Sequence, residues 1–414
     1  MAGVRKGGWG SNEEVVHLTD RYVMKTYGRF PIAPVRGEGC RLWDADGREY
    51  LDFVAGLAVC NLGHCHPNVV RAIREQAGTL LHVSNLYHIP WQSALARKIV
   101  ENSFGDRVFF CNSGAEANEA AIKLVRRYEH EIRKGGRSEI LTMDNSFHGR
   151  TLTTIAATGQ EKIKKGFDPL APGFRHVPFN DPDRLLEAIG DETCAILVEP
   201  IQGEGGIICP ADDYLRFLRS VCDDRELLLV FDEVQVGMGR TGTLFAHESF
   251  GVVPDIMTLA KGLGGGVAIG AAVASERVAA GFAPGSHAST FGGNPLATAA
   301  GLAALETILE EGVLENCRKV GGHLREGLER LALRHPGLVR EVRGRGLLLA
   351  MDLTVAGGPI VENCMRQGLL INCTANTVLR FLPPLIVKTA EVDEMLETLE
   401  RALASTPVEG GNVS

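Results

Sequence analysis

Residues 192–234 read ETCAILVEPIQGEGGIICPADDYLRFLRSVCDDRELLLVFDEV, and this stretch decides the fold. CAILV at its front and LLLVF at its back are short, unbroken apolar runs, the form of strands buried on both faces. Between them, YLRFLRSVCDD carries helical spacing. Strand, helix and strand in that order make a parallel βαβ unit. Both runs end on acids, Glu199 after the first and Asp232-Glu233 after the second.

The same alternation extends outward. Upstream, RVFFC (107–111) reads as a buried strand, SGAEANEAAIKLVRRYEHEI as a long helix and EILTM (139–143) as another strand. Downstream, PDIMTLAKG (254–262) and GVAIGAAVAS (266–275) add two more. The fold class is therefore α/β, a mostly parallel sheet with helices on both faces. Residues 1–20 read as a frayed polar start and 21–36 as an aromatic, Pro-rich lead-in. CRLWDADGREYLDF is a hairpin about Asp46-Gly47, and HPNVVRAIREQAGTL is a helix with Pro67 near its start. Beyond about 295 a long helical stretch leads into alternating short segments, closed by the helix DEMLETLERALA. The organisation expected is an N-terminal segment with hairpin (1–75) packing on both domains, a large domain (76–305), and a small α+β C-terminal domain (306–414).

Composition sets outer limits. The 414 residues allow two or three domains. With 45% hydrophobic and 23% charged residues, the chain has globular proportions. A net charge of −8 without a basic block leaves no footprint for nucleic acid. The ten cysteines form no C-x-x-C pair, the pattern of reduced cytosolic thiols. MAGVRKGGWGSNEE lacks the apolar core of a secretory signal, and no apolar run reaches the ~20 residues that span a bilayer. The expectation is a soluble cytoplasmic protein.

Chemistry gathers at the strand ends. RVFFC runs into Asn112-Ser113-Gly114-Ala115, EILTM leads to Phe147-His148-Gly149-Arg150, and the next strands end at Glu199, at Asp232 with Gln235 beyond it, and at Lys261. In open α/β sheets that edge is where ligands bind. A lysine desolvated after an apolar run has a lowered pKa and can attack an aldehyde to form a Schiff base, although most loop lysines are simply solvated. A buried Asp232 needs a cationic partner. A protonated pyridine nitrogen would serve, and so would an ion pair inside the fold. Ser113 with Glu116 forms a capping box, and the same helix start suits a phosphate. Thr290, in STFGGNP, adds a hydroxyl from a Gly-rich loop.

Taken together, NSGAEANEAA, FHGRT, VEPIQGEGG, FDEVQ, AKGLGGG, STFGGNPLA and LRFLPPL resemble the class III (ω-amino acid) aminotransferases. These are pyridoxal 5'-phosphate enzymes of fold type I. The likeness runs from about Tyr27 to the last helix, with the motifs in family order. NSGAEANEAA, LGHCHP and TVLRFLPPLI are most similar to the acetylornithine branch. That resemblance implies a cofactor-bearing, proton-shuttling Lys261, with Asp232 on the pyridine nitrogen, Gln235 on the phenolic oxygen and Phe147 stacked on the ring. Ser113, Gly114 and Ala115 would hold the phosphate, with Thr290 contributed across a homodimer and Ser289 beside the substrate. Arg150 and Arg380 would clamp carboxylates, and Glu199 would be the gate that pairs with Arg380. Ala115 departs from the Thr common in that branch. Leu57 stands where ornithine enzymes carry Tyr, which points to an N-acetylated donor. Small molecules, an amino donor and 2-oxoglutarate, are the partners implied; ornithine, succinylornithine, succinyldiaminopimelate and 4-aminobutyrate are the alternative donors.

Two features mimic other chemistries. Gly237-Met-Gly239-Arg-Thr-Gly242 matches the dinucleotide fingerprint of a nicotinamide dehydrogenase, but a lone match is weak and the acid expected about 20 residues on is not evident. His64-Cys65-His66 looks like a metal cluster, yet no second ligand pair lies at zinc spacing. No G-x-S-x-G supports a hydrolase. A non-enzymatic sheet protein with incidental polar strand ends is the remaining rival.

Overall fold

A computed structural model describes residues 10–407. Near the N-terminus β1 (Pro34–Glu38), β2 (Arg41–Asp44) and β3 (Glu49–Asp52) form a three-stranded antiparallel meander, of which β2 and β3 are the expected hairpin. The central sheet follows. It contains β4 (Arg107–Cys111), β5 (Glu139–Met143), β6 (Phe174–Val177), β7 (Thr193–Val198), β8 (Leu228–Asp232), β9 (Ile256–Leu259) and β10 (Gly270–Ala274). Its order is β4-β10-β9-β8-β7-β5-β6. β10 runs antiparallel to both its neighbours, and all the other pairings are parallel. The C-terminal ends of β4, β9, β8, β7 and β5 thus open on one edge.

The pleat explains why 192–234 reads as it does. On β7 and β8, Ala195, Leu197, Leu228 and Val230 face one side, where the helix Gly114–Tyr128 packs Ala121, Ile122, Leu124 and Val125. Ile196, Val198, Leu229 and Phe231 face the other, against Leu215, Leu218 and Cys222 of the helix Tyr214–Asp224. Both faces are dry, so the runs are apolar without alternation. Phe231 is wholly buried; truncating such a residue to Ala costs about 3–5 kcal/mol.

The long helical stretch beyond 295 is two helices, Pro295–Glu310 and Val313–Arg334, broken at Gly312, whose φ of +70° suits glycine. A third sheet follows, with β11 (Val339–Arg345), β12 (Leu348–Leu353), β14 (Asn372–Thr374) and β15 (Val378–Phe381) in the order β11-β12-β15-β14. The short β13 (Leu369–Leu370) instead crosses back to pair in parallel with β3, so a C-terminal segment completes the N-terminal sheet.

Two expectations change. The expected frayed start falls partly on residues 1–9, which lie outside the described residues, and within them Asn12–Tyr22 is a helix. Ser11 caps it, and Glu13 and Glu14 in its first turn suit the helix dipole. It buries no residue, so it shows no apolar period to read. Asn12 anchors it through Asp44 and the Ala33 amide. The edge strand β6 also has no counterpart in the sequence reading; FRHV is short and only Val177 is buried. Among the described residues, no helix is long and apolar enough to cross a membrane.

Candidate active site

The open edge of the central sheet holds a cavity of about 480 Å³. Ser113, Gly114, Ala115, Phe147, Arg150, Glu199, Asp232, Gln235 and Lys261 all line it. Nine residues spread over almost 150 positions therefore converge as the strand ends required.

Its floor is Asp232, 3% exposed at the end of β8. Asn118 Nδ2 donates to Oδ2 at 2.7 Å, and His148 Nδ1 lies 2.8 Å from the same oxygen. The Val234 amide donates to Oδ1 at 3.0 Å. Thr258 Oγ1 donates in turn to Asn118 Oδ1 at 2.8 Å, which fixes the amide's orientation. His148 Nε2 is buried without a partner.

The wall is the start of the helix Gly114–Tyr128. Ser113 Oγ accepts the Glu116 amide at 3.2 Å, while Glu116 reaches back to the Asn112 amide at 2.7 Å. A Cβ on Gly114 would fall 2.7 Å from Val234, and one on Gly149, at φ +139°, would fall 2.8 Å from the Ala115 Cβ. The helix start and the Phe147–Arg150 turn can approach this closely only as glycines.

Lys261 opens the turn after β9 with a left-handed φ of +42°. Burial pushes its amine down to about 8; Glu204, Asp232 and Glu199 oppose that shift, and Arg380 adds to it. Glu199 accepts the Phe147 and Gly203 amides at 2.9 and 3.1 Å. Burial pushes its carboxyl up to about 7 despite His148 nearby.

Arg380 lies on β15, 1% exposed. Here the structure corrects the sequence reading. Arg380 Nη1 pairs with Glu204 Oε1 at 2.6 Å, not with Glu199. Glu199 has both oxygens committed to backbone amides at the strand end, whereas Glu204, five residues further along the Gly-rich loop, reaches the arginine. Burial alone would raise the Glu204 carboxyl, but Arg380 and Lys261 hold it below the usual carboxylate range. Gln235 joins them, 3.3 Å from both Arg380 Nη1 and Glu204 Oε1. Arg150 is exposed at the mouth, 5.5 Å above the Phe147 ring.

Four expected residues stand apart from the cavity lining: Arg380, which meets it through Gln235, and Leu57, Ser289 and Thr290. Leu57 is 42% exposed, in a run from Ala55 to Ala58 with positive φ throughout; Val59 is the residue of that loop that lines the cavity. Thr290 is exposed. Ser289 is half-buried, its Oγ accepting from Asn112 Nδ2 and the Gly292 amide. The G-x-G-x-x-G match is a turn before a helix of only five residues, Ala246–Phe250. His64 bonds Asp52 at 2.7 Å, and His66 precedes the helix Pro67–Ala77.

The model of class III aminotransferases matches residues 22–403. The chain belongs to the class III aminotransferases. It is 55% identical over 385 residues to an acetylornithine aminotransferase of Caldanaerobacter subterraneus, covering 93% of this chain and 98% of that one. A solved acetylornithine aminotransferase of Elizabethkingia anophelis superposes with TM-score 0.87 at 33% identity, over 96% and 100% of the two chains. The ornithine aminotransferase of Toxoplasma gondii, solved with partial pyridoxal-phosphate occupancy at its active site, gives TM-score 0.91 at 33% identity over 94% of each. Class III aminotransferases are pyridoxal-phosphate-dependent, and this enzyme is an aminotransferase of that class.

Sequence reasoning missed Glu204, Asn118 and Val59. Asn118 had a signal, a polar residue one turn into the helix among Ala117, Ala120 and Ala121. Glu204 was legible as the acid of IQGEGG, with nothing in the spacing to rank it above Glu199.

Proposed function

We propose that this enzyme binds pyridoxal 5'-phosphate at the sheet edge and moves the δ-amino group of N2-acetyl-L-ornithine to 2-oxoglutarate. The products are N-acetyl-L-glutamate 5-semialdehyde and L-glutamate, in arginine biosynthesis. The residues present fit the cofactor. A buried carboxylate held by Asn118 and His148, with no lysine or arginine within 4 Å among the described residues, suits a protonated ring nitrogen. The N-terminus of a fifteen-residue helix, closed by glycines that leave no room for a Cβ, suits a phosphate. When bound, the cofactor supplies an aldehyde for amine capture and a ring that draws electrons from the substrate carbon.

The chain's own groups do the rest. Lys261, with its amine pushed down to about 8, would hold the cofactor covalently at rest and, once displaced, would take the proton from the substrate carbon that bears the amine and hand it on to the cofactor. Asp232 would keep the ring nitrogen protonated, and Phe147 would lie against the ring. Arg150 at the mouth takes a carboxylate remote from the reacting carbon. Arg380 takes the carboxylate adjacent to it when the substrate is glutamate or 2-oxoglutarate.

The observation that carries the assignment to an ω-amine donor is the Arg380–Glu204 pair, and the likeness to acetylornithine aminotransferases at 54–55% identity supports the acetylated member of that class. An ω-amine donor brings no carboxylate next to its reacting carbon, so Arg380 needs another anion while that donor is bound. Glu204 supplies it and withdraws for glutamate. We further propose a homodimer in which Thr290 reaches the phosphate of the neighbouring subunit. Its exposure beside Phe291, itself 60% exposed, supports that reading. The deciding experiment assays N2-acetylornithine, ornithine, N-succinylornithine, succinyldiaminopimelate and 4-aminobutyrate against 2-oxoglutarate. The acetylated donor should have the highest kcat/KM, exceeding ornithine by at least about tenfold, or ~1.4 kcal/mol. Ornithine equal to its acetylated form would overturn the assignment.

A further inference from the structure

A second cavity is larger than the one at the sheet edge. A groove of about 830 Å³ lies between the loop Cys209–Arg216, the segment Thr241–Phe250, the helix Val313–Arg334 and the turn joining β11 to β12. Its size is within the range of small-molecule sites. Four arginines line it, each from a different position: Arg216, Arg318, Arg325 and Arg345. Only two carboxylates do, Asp212 and Asp213. Asp213 is taken by Arg216 at 2.5 Å, and Arg325 meets Glu329 at 3.5 Å. Arg318 and Arg345 have no carboxylate within 4 Å among the described residues. Arg318 Nη1 donates to the Gly242 carbonyl at 2.6 Å, and Arg345 lies over the Phe250 ring. The chain's net charge is −8, so this local excess of cations runs against the overall balance.

The surroundings keep the groove open and the arginines aimed. Gly242 is at φ +95°, and a Cβ there would strike the Arg318 stem at 2.7 Å. Gly346 is at φ +57°, packed 2.7 Å from the Arg240 carbonyl by the same measure. Gly322, in the helix between Arg318 and Arg325, has nothing within 4 Å of the place a Cβ would occupy. The Thr243 and Ser249 hydroxyls bond to one another at 2.8 Å on the lining.

We propose that this groove is a second ligand site, separate from the catalytic cavity, for a small molecule carrying at least two oxyanion groups. Arg318 and Arg345 are its anchoring residues. Paired phosphates or paired carboxylates both match planar guanidinium forks. The ligand would bridge the helix Val313–Arg334 and the β11–β12 turn to the loop that follows Arg240. The residue before Thr241 of the lining makes that bridge consequential. Arg240 is fully buried, and its guanidinium already joins Asn61 Oδ1 at 2.6 Å to the Leu347 and Pro383 carbonyls. Pro383 follows the strand that carries Arg380, and Asn61 packs against Gly262 beside Lys261. A ligand in the groove therefore grips the junction across which the two halves of the catalytic cavity are held.

The test is calorimetric titration of the cofactor-loaded enzyme with pyrophosphate and, separately, with citrate, at constant ionic strength. The wild-type protein should show a saturable site for at least one of them, and the tighter of the two identifies the source as phosphate or carboxylate. The double variant Arg318→Gln/Arg345→Gln should weaken that site at least tenfold while still unfolding in one cooperative transition in the absence of ligand. Gly322→Glu places the protein's own carboxylate between the arginines. It should also abolish the site while raising the melting temperature. Equal binding by the wild-type protein and both variants, or no saturable binding of either anion, overturns the proposal.

Discussion

The Arg380 guanidinium and the Glu204 carboxylate meet at 2.6 Å, with Arg380 1% exposed. Breaking such a pair leaves a buried cation without a partner, which is costly. A substrate carboxylate arriving at Arg380 restores the balance, whereas an ω-amine donor cannot. Glu204→Gln should therefore lower kcat/KM for N2-acetylornithine relative to glutamate by at least fivefold, about 1 kcal/mol. Glu199→Gln should leave that ratio within twofold, because Glu199 does not touch Arg380. Steady-state assays of both donors decide it. An equal loss for both donors in Glu204→Gln would remove the gate.

The Lys261 amine sits near pH 8 because burial disfavours its charged form. In enzyme stripped of cofactor, its reaction with a small aldehyde, trapped by borohydride and read by mass spectrometry, should rise with a midpoint near 8. An ordinary surface lysine has its midpoint close to 10.4. Lys261→Ala should fold with a similar melting temperature and lose several orders of magnitude in turnover. A midpoint above 10 would show that the amine is solvated.

Glu199 carries a stability signature. Its carboxyl is raised to about 7 from an ordinary 4.5 in the folded protein. The folded state thus holds a proton that the unfolded state releases. Its contribution is fully present below about pH 4.5 and is lost as pH rises through 7. Glu199→Gln removes the charge but also turns one of the two accepting oxygens into an NH2 facing a backbone amide, a loss that does not vary with pH. The melting temperature of cofactor-free Glu199→Gln relative to wild type should therefore be higher at pH 8 than at pH 4.5, whatever its offset. A pH-independent difference would refute the raised carboxyl.

The α/β class and the sheet edge were legible because both depend on local pattern. CAILV and LLLVF are apolar throughout because each strand is covered on both faces, and a parallel sheet must present its polar strand ends together. Asp232 and Lys261 could be picked out for the same reason, as polar residues ending buried runs. The helix Asn12–Tyr22 was hidden because it is held by its cap and by Asn12, with no buried face. Glu204 was hidden because which acid reaches Arg380 depends on where β15 lies against a loop some 176 residues earlier. The loop that carries Leu57 presents Val59 to the cavity and leaves Leu57 exposed in this subunit, through a left-handed run from Ala55 to Ala58. No periodicity in FVAGLAV announces that reversal.

Thr290 provides the last test, because its exposure makes a one-subunit site and a shared site predict opposite results. If the phosphate is held across a homodimer, each catalytic cavity combines Lys261 of one subunit with Thr290 of the other. Lys261→Ala alone is then inactive. Thr290→Val alone should bind pyridoxal phosphate at least tenfold more weakly, since a hydrogen bond to a charged group is worth about 1.5–3 kcal/mol. Mixing the two variants under dissociating conditions and reassociating them yields hybrids. One cavity of each hybrid carries both substitutions, and the other carries neither. At limiting cofactor, that intact cavity should restore activity with wild-type cofactor affinity, up to half the activity of a wild-type dimer per hybrid. Were Thr290 to serve its own subunit, every hybrid cavity would carry one defect, and mixing would restore nothing. Sedimentation of the mixed sample must show the hybrid dimer; a monomer under assay conditions would dismiss the shared site directly.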